Sequence, residues 1–377
     1  MRSTPSRAEL LQLAARVDPR YRAVWDGLPQ GHRAALAAYL LPHRSRQQQL
    51  RPTRPRVVKW YCPFASQERF PSGHRYCINV YTGCAHGCVY CYAASYEPER
   101  AASKPNFRRL IERDMADLEA FDVPAAPVHL SNSVDPFQPL ERRYGHTRYA
   151  LEKILAHRHR FTTVTLLTKN PLAAVQSGCL ELLRELNQLP SDHPRASEFR
   201  DRRLPALQVH VSLAFWNDRA RAAYERAAPS VAERREGIRA LREAGIPVVL
   251  RIDPLFPRSP LPTRPPSRLE DFGLAEAQTL EELENLVAFA ARSGVRHVVY
   301  SVLKVVPPRR RKAPPEVQAL RAVYQATCAP DKPPWRGGSW RLPRHVAARY
   351  IAADFLRVCR HRGVQARFCM ADLLETP

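Results

Sequence analysis

Three cysteines lie within one short segment of the sequence, YTGCAHGCVYCYA, which spans residues 81–93. Cys84, Cys88 and Cys91 follow the spacing C-x3-C-x2-C, so their thiolates can reach three corners of one small metal cluster from a single loop. The two glycines of the segment allow the backbone to wrap closely around such a group. Four protein ligands would close a metal site, whereas three leave a coordination position open for chemistry. The pattern therefore predicts a cubane iron–sulfur cluster with one open iron.

Zinc and a metal-free arrangement are the other interpretations of this segment. A zinc site usually adds a second pair of Cys or His to C-x2-C, and His86 is a further ligand type inside the motif. His86 lies between two of the cysteines, a tight geometry for a fourth ligand. The nine cysteines of the chain form an odd and unevenly spaced set. We therefore expect metal ligands and free thiols in a reducing cytoplasm rather than a disulfide framework.

Short β-branched runs alternate with helical patterns from about residue 76 onwards. The six predicted strands are 77–81, 127–132, 161–168, 207–215, 247–253 and 297–303. The predicted helices between them lie near 105–120, 146–158, 172–187, 229–244 and 279–293. Repeated βα units of this kind predict an α/β fold with a parallel sheet.

Polar residues follow the carboxyl ends of five predicted strands, the edge at which parallel α/β folds place their sites. These stretches are Tyr81–Cys91, Asn132–Asp135, Thr168–Asn170, Trp216–Asn217 and Asp253–Pro254. We therefore expect the cysteine motif and the later polar residues to meet at this edge, although they are far apart in the sequence.

Two flanking regions surround the βα units. Residues 6–41 have the apolar spacing of helices, and 42–58 form a basic linker broken by prolines. The last predicted strand is followed by a hinge (307–315), a helix (316–328), a loop (330–343), a second helix (344–361) and an extended end (364–370). We predict an N-terminal segment, a βα domain and a C-terminal extension, with the boundaries 1–58, 59–305 and 306–377.

The chain of 377 residues carries 59 basic and 36 acidic residues, which gives a net charge of +23. Residues 1–60 hold 12 Arg or Lys against three Asp or Glu, and residues 306–377 hold 14 against five, so each flank contributes +9. Such an excess favours a polyanionic partner such as nucleic acid, or it reflects an arginine- and proline-rich composition. Aromatic rings beside basic residues, in KWY (59–61) and PPWRGGSWR (333–341), either stack nucleobases or fasten the flanks to the sheet.

The sequence contains no run of about 18 apolar residues, so we predict no membrane-spanning helix. Its first residues are basic but lack the apolar core of a secretion signal, and we therefore expect a cytoplasmic protein.

The cysteine spacing resembles that of the radical S-adenosylmethionine (SAM) superfamily, with an aromatic residue before the last cysteine and a position after the first strand of a βα series. The resemblance implies a partial (β/α)6 barrel of the TIM type. It also implies a [4Fe–4S] cluster whose open iron chelates SAM. An external one-electron donor such as flavodoxin or ferredoxin then drives cleavage of SAM to a 5′-deoxyadenosyl radical, which abstracts hydrogen from a substrate.

Further motifs are similar to the spore photoproduct lyase-like branch of that superfamily. They are SNSVDPFQPLERRYGHTR, LLTKN, VHVSLAF and RREGIRALREAGIPVVLRIDPLFP, and the similarity covers roughly residues 75–305. By this resemblance Cys84, Cys88 and Cys91 match the cluster ligands, and Tyr90 matches the residue beside the SAM adenine. Lys169, Ser212 and Asp135 match positions around SAM. From the residues alone, Lys169 could be a surface lysine, Ser212 a small residue inside the barrel and Asp135 a turn or capping residue.

The hydrogen donor that the branch uses is missing from its expected place. In the lyase a cysteine just after the second strand donates hydrogen, whereas residues 130–135 here read LSNSVD. Tyr90 and Tyr92 match the tyrosines of the lyase relay, and Cys369 in the run VQARFCM could fold back over the barrel mouth as a thiol donor. We expect a radical SAM enzyme acting on nucleic acid. The alternatives are a radical SAM enzyme acting on a small molecule or protein, and a non-catalytic iron–sulfur or zinc protein that binds nucleic acid.

Overall fold

The computed structural model describes residues 26, 29–40, 56–59, 76–98, 100–123, 125–188, 206–306, 312–328, 335–336 and 339–369. Within these residues one sheet contains eight strands that lie side by side in chain order. They are β1 (Val58–Lys59), β2 (Tyr76–Ile78), β3 (Ala126–Leu130), β4 (Phe161–Thr168), β5 (Leu207–Ser212), β6 (Val248–Leu255), β7 (His297–Val302) and β8 (Gln365–Phe368). β1 runs antiparallel to β2, and every later neighbour is parallel.

Strands β2 to β7 correspond to the six predicted strands, and helices connect them as expected. All five residues of β3 are buried, as are most of β4 and β5, because helices cover one face and the interior of the sheet lies on the other. Val, Ile, Leu and Thr dominate these strands because branched side chains pack well on a pleated, buried surface. The α/β fold with a curved, mostly parallel sheet is confirmed, and the sheet of the described residues stays open between β1 and β8.

The helices follow the predicted positions closely. They are α1 (Gln30–Leu40), α2 (Phe107–Ala120), α3 (Leu140–Tyr144), α4 (His146–Ala156), α5 (Pro171–Ala174), α6 (Leu180–Leu186), α7 (Asp218–Tyr224), α8 (Val231–Glu243), α9 (Leu280–Arg292), α10 (Pro315–Thr327), α11 (Arg344–Val346) and α12 (Ala353–His361). The helix predicted at 344–361 consists of α11 and α12 with a π-helical segment, Ala347–Ala352, between them. The single helix expected at 172–187 is divided into α5 and α6 by a π-helical segment, in which Gly178 has a φ of 73°. Ser230 and Thr279 form capping boxes at the starts of α8 and α9.

Helix α8 approaches α5 unusually closely. A Cβ atom added to Gly237 of α8 would lie 2.3 Å from the backbone nitrogen of Leu172 and 2.7 Å from the carbonyl carbon of Pro171. Only glycine fits there, because real Cβ atoms do not approach backbone atoms so closely. This contact fixes α5 directly behind the carboxyl end of β4, where the polar residues 168–170 lie.

The C-terminal extension completes the sheet and the edge at which its parallel strands end. The extended end predicted at 364–370 forms β8, which pairs with β7, and the backbone nitrogen of Cys369 donates to the carbonyl of Tyr300 at 2.7 Å. Upstream, Trp335–Arg336 and Ser339–Trp340 form a two-stranded ribbon, and Trp340 pairs with Val305 just after β7. The structure therefore places both the ribbon and Cys369 beside the carboxyl end of β7.

Several sequence predictions lie outside the described residues. They concern residues 6–25 of the N-terminal helices, most of the linker 42–58, Trp60 and Tyr61, the loop 190–204 and the basic run 307–311. The three domain boundaries remain predictions. In the described part of the chain, no helix has the length and apolar character needed to cross a membrane.

Candidate active site

A cavity of about 700 Å³ lies at the carboxyl ends of the parallel strands. Its walls come from the cysteine loop after β2 and from the residues that follow or end β3 to β7. The lining includes Cys84, Cys88, Tyr90, Cys91, Tyr92, Asp135, Lys169, Ser212 and Cys369. Every site residue predicted from the sequence therefore borders one cavity. The volume of this cavity suits a ligand of nucleoside size.

The cysteine loop is held in place by the segment that follows α7. Cys88 pairs with Glu225 as an isolated antiparallel bridge, and Val89 donates its backbone N–H to the Tyr224 carbonyl at 2.9 Å. Gly83 has a φ of 67°, and a Cβ there would lie 2.8 Å from two carbonyl oxygens of the 98–100 segment. The loop therefore requires glycine at position 83.

The three thiols of the loop are free and partly exposed to the cavity. Burial raises the pKa of all three, and that of Cys84 reaches about 12 because the charge of Asp135 adds to the effect of burial. Thiolates at this place thus need positive charge beside them, and a metal centre supplies it by coordinating and deprotonating the thiols.

A single metal ion and a cluster make different demands on three cysteines. Among the described residues, no three His, Cys, Asp or Glu side chains are grouped so that they could hold one metal ion. An iron–sulfur cluster binds each thiolate to a separate iron, so its ligands need not converge on one point. His86 is not turned towards the cysteines as a fourth ligand, since its Nε2 atom lies 3.1 Å from Asp135 Oδ2. The donor set fits a three-cysteine cluster.

A buried ion-pair network lies beside the cysteine loop. The Lys169 ammonium donates to Glu225 at 2.7 Å, to the Ser212 hydroxyl at 2.7 Å and to the Tyr90 hydroxyl at 3.2 Å. Arg234 Nη2 lies 2.5 Å from the second oxygen of Glu225, and both of these side chains are fully buried. Tyr90, Lys169 and Ser212, which the resemblance places around SAM, are therefore joined directly. Their three contacts use all three N–H donors of Lys169.

Glu225 and Arg234 were not singled out in the sequence. Burial alone would raise the pKa of Glu225, but the charges of Lys169 and Arg234 lower it to about 2. Arg234 also donates to the backbone carbonyls of Pro229 and Ser212, which links α8 to the end of β5. The network places one carboxylate between two buried cations. It keeps Lys169 charged, because the attraction of Glu225 outweighs burial and raises the pKa of the ammonium.

Tyr90 has an apolar and a polar side. Its ring makes edge contacts with Phe215, with centroids 6.5 Å apart, and with Phe256, at 5.6 Å. Its hydroxyl donates to Glu225. Burial raises the pKa of Tyr90, so the phenol stays protonated. The ring therefore presents a fixed, flat apolar wall to the cavity.

Asp135 is built into the scaffold of the site. Its carboxylate accepts hydrogen bonds from the Phe137 backbone at 2.9 Å, from the Thr168 hydroxyl at 2.8 Å and from the Lys169 backbone at 2.6 Å. These bonds and His86 keep the pKa of Asp135 low, against the opposing effect of burial. Asp135 thus ties the end of β3 to the end of β4, as expected for a turn residue, while it also borders the cavity.

A second polar cluster lies across the cavity, at the ends of β6 to β8. Arg251 Nη2 lies 2.5 Å from Asp253 Oδ2 and 2.6 Å from the sulfur of Cys369, and Ser301 donates to Asp253. Burial raises the pKa of the Cys369 thiol, although the charge of Arg251 opposes this effect. The predicted return of Cys369 to the barrel mouth agrees with its observed position. Nearer the cysteine loop, Tyr92 donates to the carbonyl of Asn132 at 2.7 Å.

No family model matches the chain. The uncharacterized protein MJ0683 of Methanocaldococcus jannaschii is 22% identical over 185 residues, which cover 49% of this chain and 62% of that protein. The match therefore extends over less than two thirds of the relative's length.

Solved structures of spore photoproduct lyase have the same fold. A cysteine-to-alanine mutant of the lyase matches with a TM-score of 0.53 at 13% identity, over 82% of this chain and 79% of the lyase. A mutant with dinucleoside spore photoproduct matches with a TM-score of 0.52 at 12% identity, over 86% and 89%. A double mutant with bound AdoMet and dinucleoside spore photoproduct gives 0.50 at 13% identity, over 83% and 78%. The partial barrel predicted from the motifs is thus confirmed as the fold of this chain.

Proposed function

We propose that this chain, which has the fold of the radical SAM enzymes, is itself a radical SAM enzyme. In this proposal Cys84, Cys88 and Cys91 hold a [4Fe–4S] cluster and the adjoining cavity binds SAM. One observation carries the proposal. The three cysteines, Tyr90 and the Lys169–Ser212 pair border a single cavity at the carboxyl ends of the strands, although they come from three separate parts of the sequence.

Cys84, Cys88 and Cys91 would hold the cluster, which would supply one-electron reduction of SAM and so the radical chemistry needed for hydrogen abstraction. The protein contributes orientation. Tyr90 offers the adenine a rigid apolar wall, because Phe215 and Phe256 hold its ring. The Ser212 hydroxyl and the Lys169 ammonium offer donors to the SAM carboxylate. Since Lys169 has three protein partners, carboxylate binding replaces one of them, and Glu225 keeps the ammonium charged throughout.

The proposed reaction needs an electron from outside the chain, from a small reductant such as flavodoxin or ferredoxin. Nucleic acid is the substrate that we favour. The net charge of +23 supports it, as does the fold shared with lyase structures that contain a dinucleoside photoproduct. The stretch Ser131–Asp135 after β3 contains no cysteine, and we therefore propose Cys369, Tyr90 and Tyr92, which all line the cavity, as candidates for a hydrogen-donor relay. The alternative is a radical SAM enzyme that acts on a small molecule or a protein. A third candidate is a protein without catalytic activity that contains iron–sulfur or zinc and binds nucleic acid.

Iron content tests the cluster assignment. The full-length chain is reconstituted anaerobically with iron and sulfide, and iron, zinc and the visible spectrum are then measured. We expect a brown protein with about four irons per chain, the stoichiometry of a cubane cluster. Cys88→Ala should lose the colour and most of the iron, whereas Cys328→Ala, which alters a cysteine outside the cavity, should keep both. A colourless zinc protein, or a Cys88→Ala variant that retains its iron, would refute the assignment.

Retention on DNA or RNA tests the substrate class separately. Binding that weakens as salt rises supports a nucleic-acid substrate, because neutralised phosphates release counterions. If the protein binds neither DNA nor RNA at low salt, nucleic acid is excluded as the substrate, and the substrate is then a small molecule or a protein.

A further inference from the structure

Two cations face each other at the rim of the cavity. Val305 donates its backbone N–H to the Trp340 carbonyl at 3.0 Å, and Trp340 returns the bond to Val305 at 2.9 Å. In antiparallel pairing the residues flanking such a pair lie opposite each other, with Cβ atoms about 5 Å apart. The two pairs that flank Val305 and Trp340 are Lys304 with Arg341 and Val306 with Ser339, and all four residues line the cavity.

The alternation of side chains along these two segments supports this orientation. Val305 is 2% exposed and points into the core, and the Trp340 ring lies 3.9 Å from the Arg321 guanidinium. Since successive side chains of extended segments alternate between faces, Lys304 and Arg341 turn to the other face. The Arg341 Nε atom donates to the buried Ser339 hydroxyl at 2.8 Å, so the guanidinium is held in a defined position.

Among the described residues, the other two basic side chains of the cavity, Lys169 and Arg251, have carboxylate partners, whereas Lys304 and Arg341 do not. Lys169 lies 2.7 Å from Glu225, and Arg251 lies 2.5 Å from Asp253. Within the part of the chain that the structure describes, no carboxylate forms an ion pair with Lys304 or Arg341.

Like charges at opposing positions of paired strands repel, and the titration of Lys304 reflects this repulsion. Burial lowers the pKa of Lys304, and the charge of Arg341 lowers it further. Cys369 and Asp253 act in the opposite direction but do not outweigh these two causes. An oxyanion between the two cations would relieve the repulsion and accept charge-assisted hydrogen bonds from both.

We propose that Lys304 and Arg341 form a subsite for an oxyanion of the substrate, and that this group is a phosphate of single-stranded nucleic acid. A second observation at the cavity mouth supports the nucleic acid. The rings of Tyr92 and Tyr96 are 37% and 47% exposed and lie 6.1 Å apart, while their hydroxyls are fixed on Asn132 and Ser133. Tyr92 lines the same cavity as Lys304 and Arg341, and aromatic rings together with phosphate-binding cations are the usual elements of single-strand recognition. The choice of nucleic acid rests on the proposed function, whereas binding can be measured without catalysis.

Fluorescence anisotropy tests the subsite with the full-length chain, reconstituted anaerobically. The probes are a labelled single-stranded DNA 10-mer, its RNA counterpart and the same DNA sequence with an uncharged methylphosphonate backbone. Each is titrated over a range of KCl concentrations. The test variant is the double substitution Lys304→Gln with Arg341→Gln. The matched control, Arg148→Gln with Lys153→Gln, removes one Arg and one Lys from the outer face of α4.

We expect the test variant to bind charged oligonucleotides about tenfold or more weakly, because it loses charge-assisted hydrogen bonds to one phosphate. The slope of log K against log salt should fall by about 0.7, the value for one single-strand phosphate. The affinity of the control variant for charged oligonucleotides should stay within about twofold of that of the parent. The parent and the test variant should bind the uncharged probe with equal affinity. Equal affinity and equal slope for the parent and the test variant would overturn the assignment to nucleic acid, and would overturn the subsite as well if inorganic phosphate also fails to distinguish the parent from the test variant.

Competition by inorganic phosphate distinguishes the sources of the oxyanion. If millimolar phosphate protects the parent against heat but not the test variant, while oligonucleotides bind both equally, the subsite stands and takes a small phosphorylated compound instead. The formation of 5′-deoxyadenosine, measured on the same parent preparation, reports on the radical SAM reaction alone. A parent that cleaves no SAM but binds as described would refute the proposed function and leave the subsite intact.

Discussion

Glu225→Gln should destabilise the protein strongly, although it keeps the number of non-hydrogen atoms and nearly the same volume. The carboxylate of Glu225 is the single negative charge between Lys169, at 2.7 Å, and Arg234, at 2.5 Å. The glutamine side chain keeps one oxygen that accepts a hydrogen bond from one of the two cations, Lys169 or Arg234, but it presents an N–H₂ group towards the other cation. The substitution therefore leaves two cations buried without a balancing charge.

Two independent estimates give the same magnitude. Removing one partner of a buried ion pair costs about 3–5 kcal/mol in other proteins. The lowering of the Glu225 pKa from 4.5 to about 2 corresponds by linkage to about 3 kcal/mol of folding free energy at neutral pH. This stabilisation is fully present above the ordinary pKa and is lost as the pH falls from about 4.5 towards 2. The stability difference between the parent and Glu225→Gln should therefore shrink over that pH range.

Urea unfolding followed by circular dichroism measures the effect. With an m-value of about 3 kcal/mol/M for a chain of this size, we expect the midpoint to fall by about 1 M at pH 7. Adding Lys169→Met to Glu225→Gln should restore part of the loss, because it removes one of the unbalanced cations. Glu152→Gln is the control, since it breaks the exposed pair with Arg148 and should cost less than about 0.5 kcal/mol. A Glu225→Gln variant as stable as this control would refute the reasoning.

Two further substitutions test local features of the fold. Gly237→Ala should cost about 1–3 kcal/mol or more, because its Cβ would lie 2.3 Å from the backbone nitrogen of Leu172. Gly31→Ala, whose Cβ meets nothing within 4 Å, should cause no loss, and equal melting temperatures for the two variants would contradict the close contact. Ser230→Ala should cost about 1 kcal/mol by removing the capping box with Glu233 at the start of α8. A melting temperature unchanged by Ser230→Ala would show that the cap contributes no stability.

The βα part of the fold was predictable because its strands are long and bounded by polar residues. The run FTTVTLLT was predicted at 161–168 and forms β4 over the same residues. The first strand was predicted as 77–81 but ends at Ile78, because Tyr81–Thr82 pairs instead with Ala102–Ser103. The break at Gly178 was missed, since one glycine with positive φ inside a helical pattern leaves the apolar spacing intact.

The features that could not be predicted from the sequence are those that depend on contacts between distant segments. The two-residue strand β1 is too short for any periodicity, and Asp114 positions it by accepting the backbone N–H groups of Val57 and Val58. Glu225 pairs with residues 56 positions earlier in the sequence and 9 positions later, so no local pattern marks it. The opposition of Lys304 and Arg341 likewise depends on one backbone pairing between distant segments.

The cysteine motif, in contrast, could be recognised from the sequence, because all three proposed cluster ligands lie within one loop. The three thiols, their spacing and the glycines around them were readable without the fold. The structure added their neighbours, namely the Lys169–Glu225–Arg234 network on one side and the Arg251–Asp253–Cys369 cluster across the cavity.

Formation of 5′-deoxyadenosine tests the central claim most directly. The reconstituted full-length protein is incubated without oxygen with SAM and a strong reductant, and the nucleoside is quantified by mass spectrometry. The account predicts that the parent and Cys328→Ala form 5′-deoxyadenosine and that Cys88→Ala does not. An iron-loaded parent that forms none, or a Cys88→Ala variant that forms as much as the parent, would contradict it.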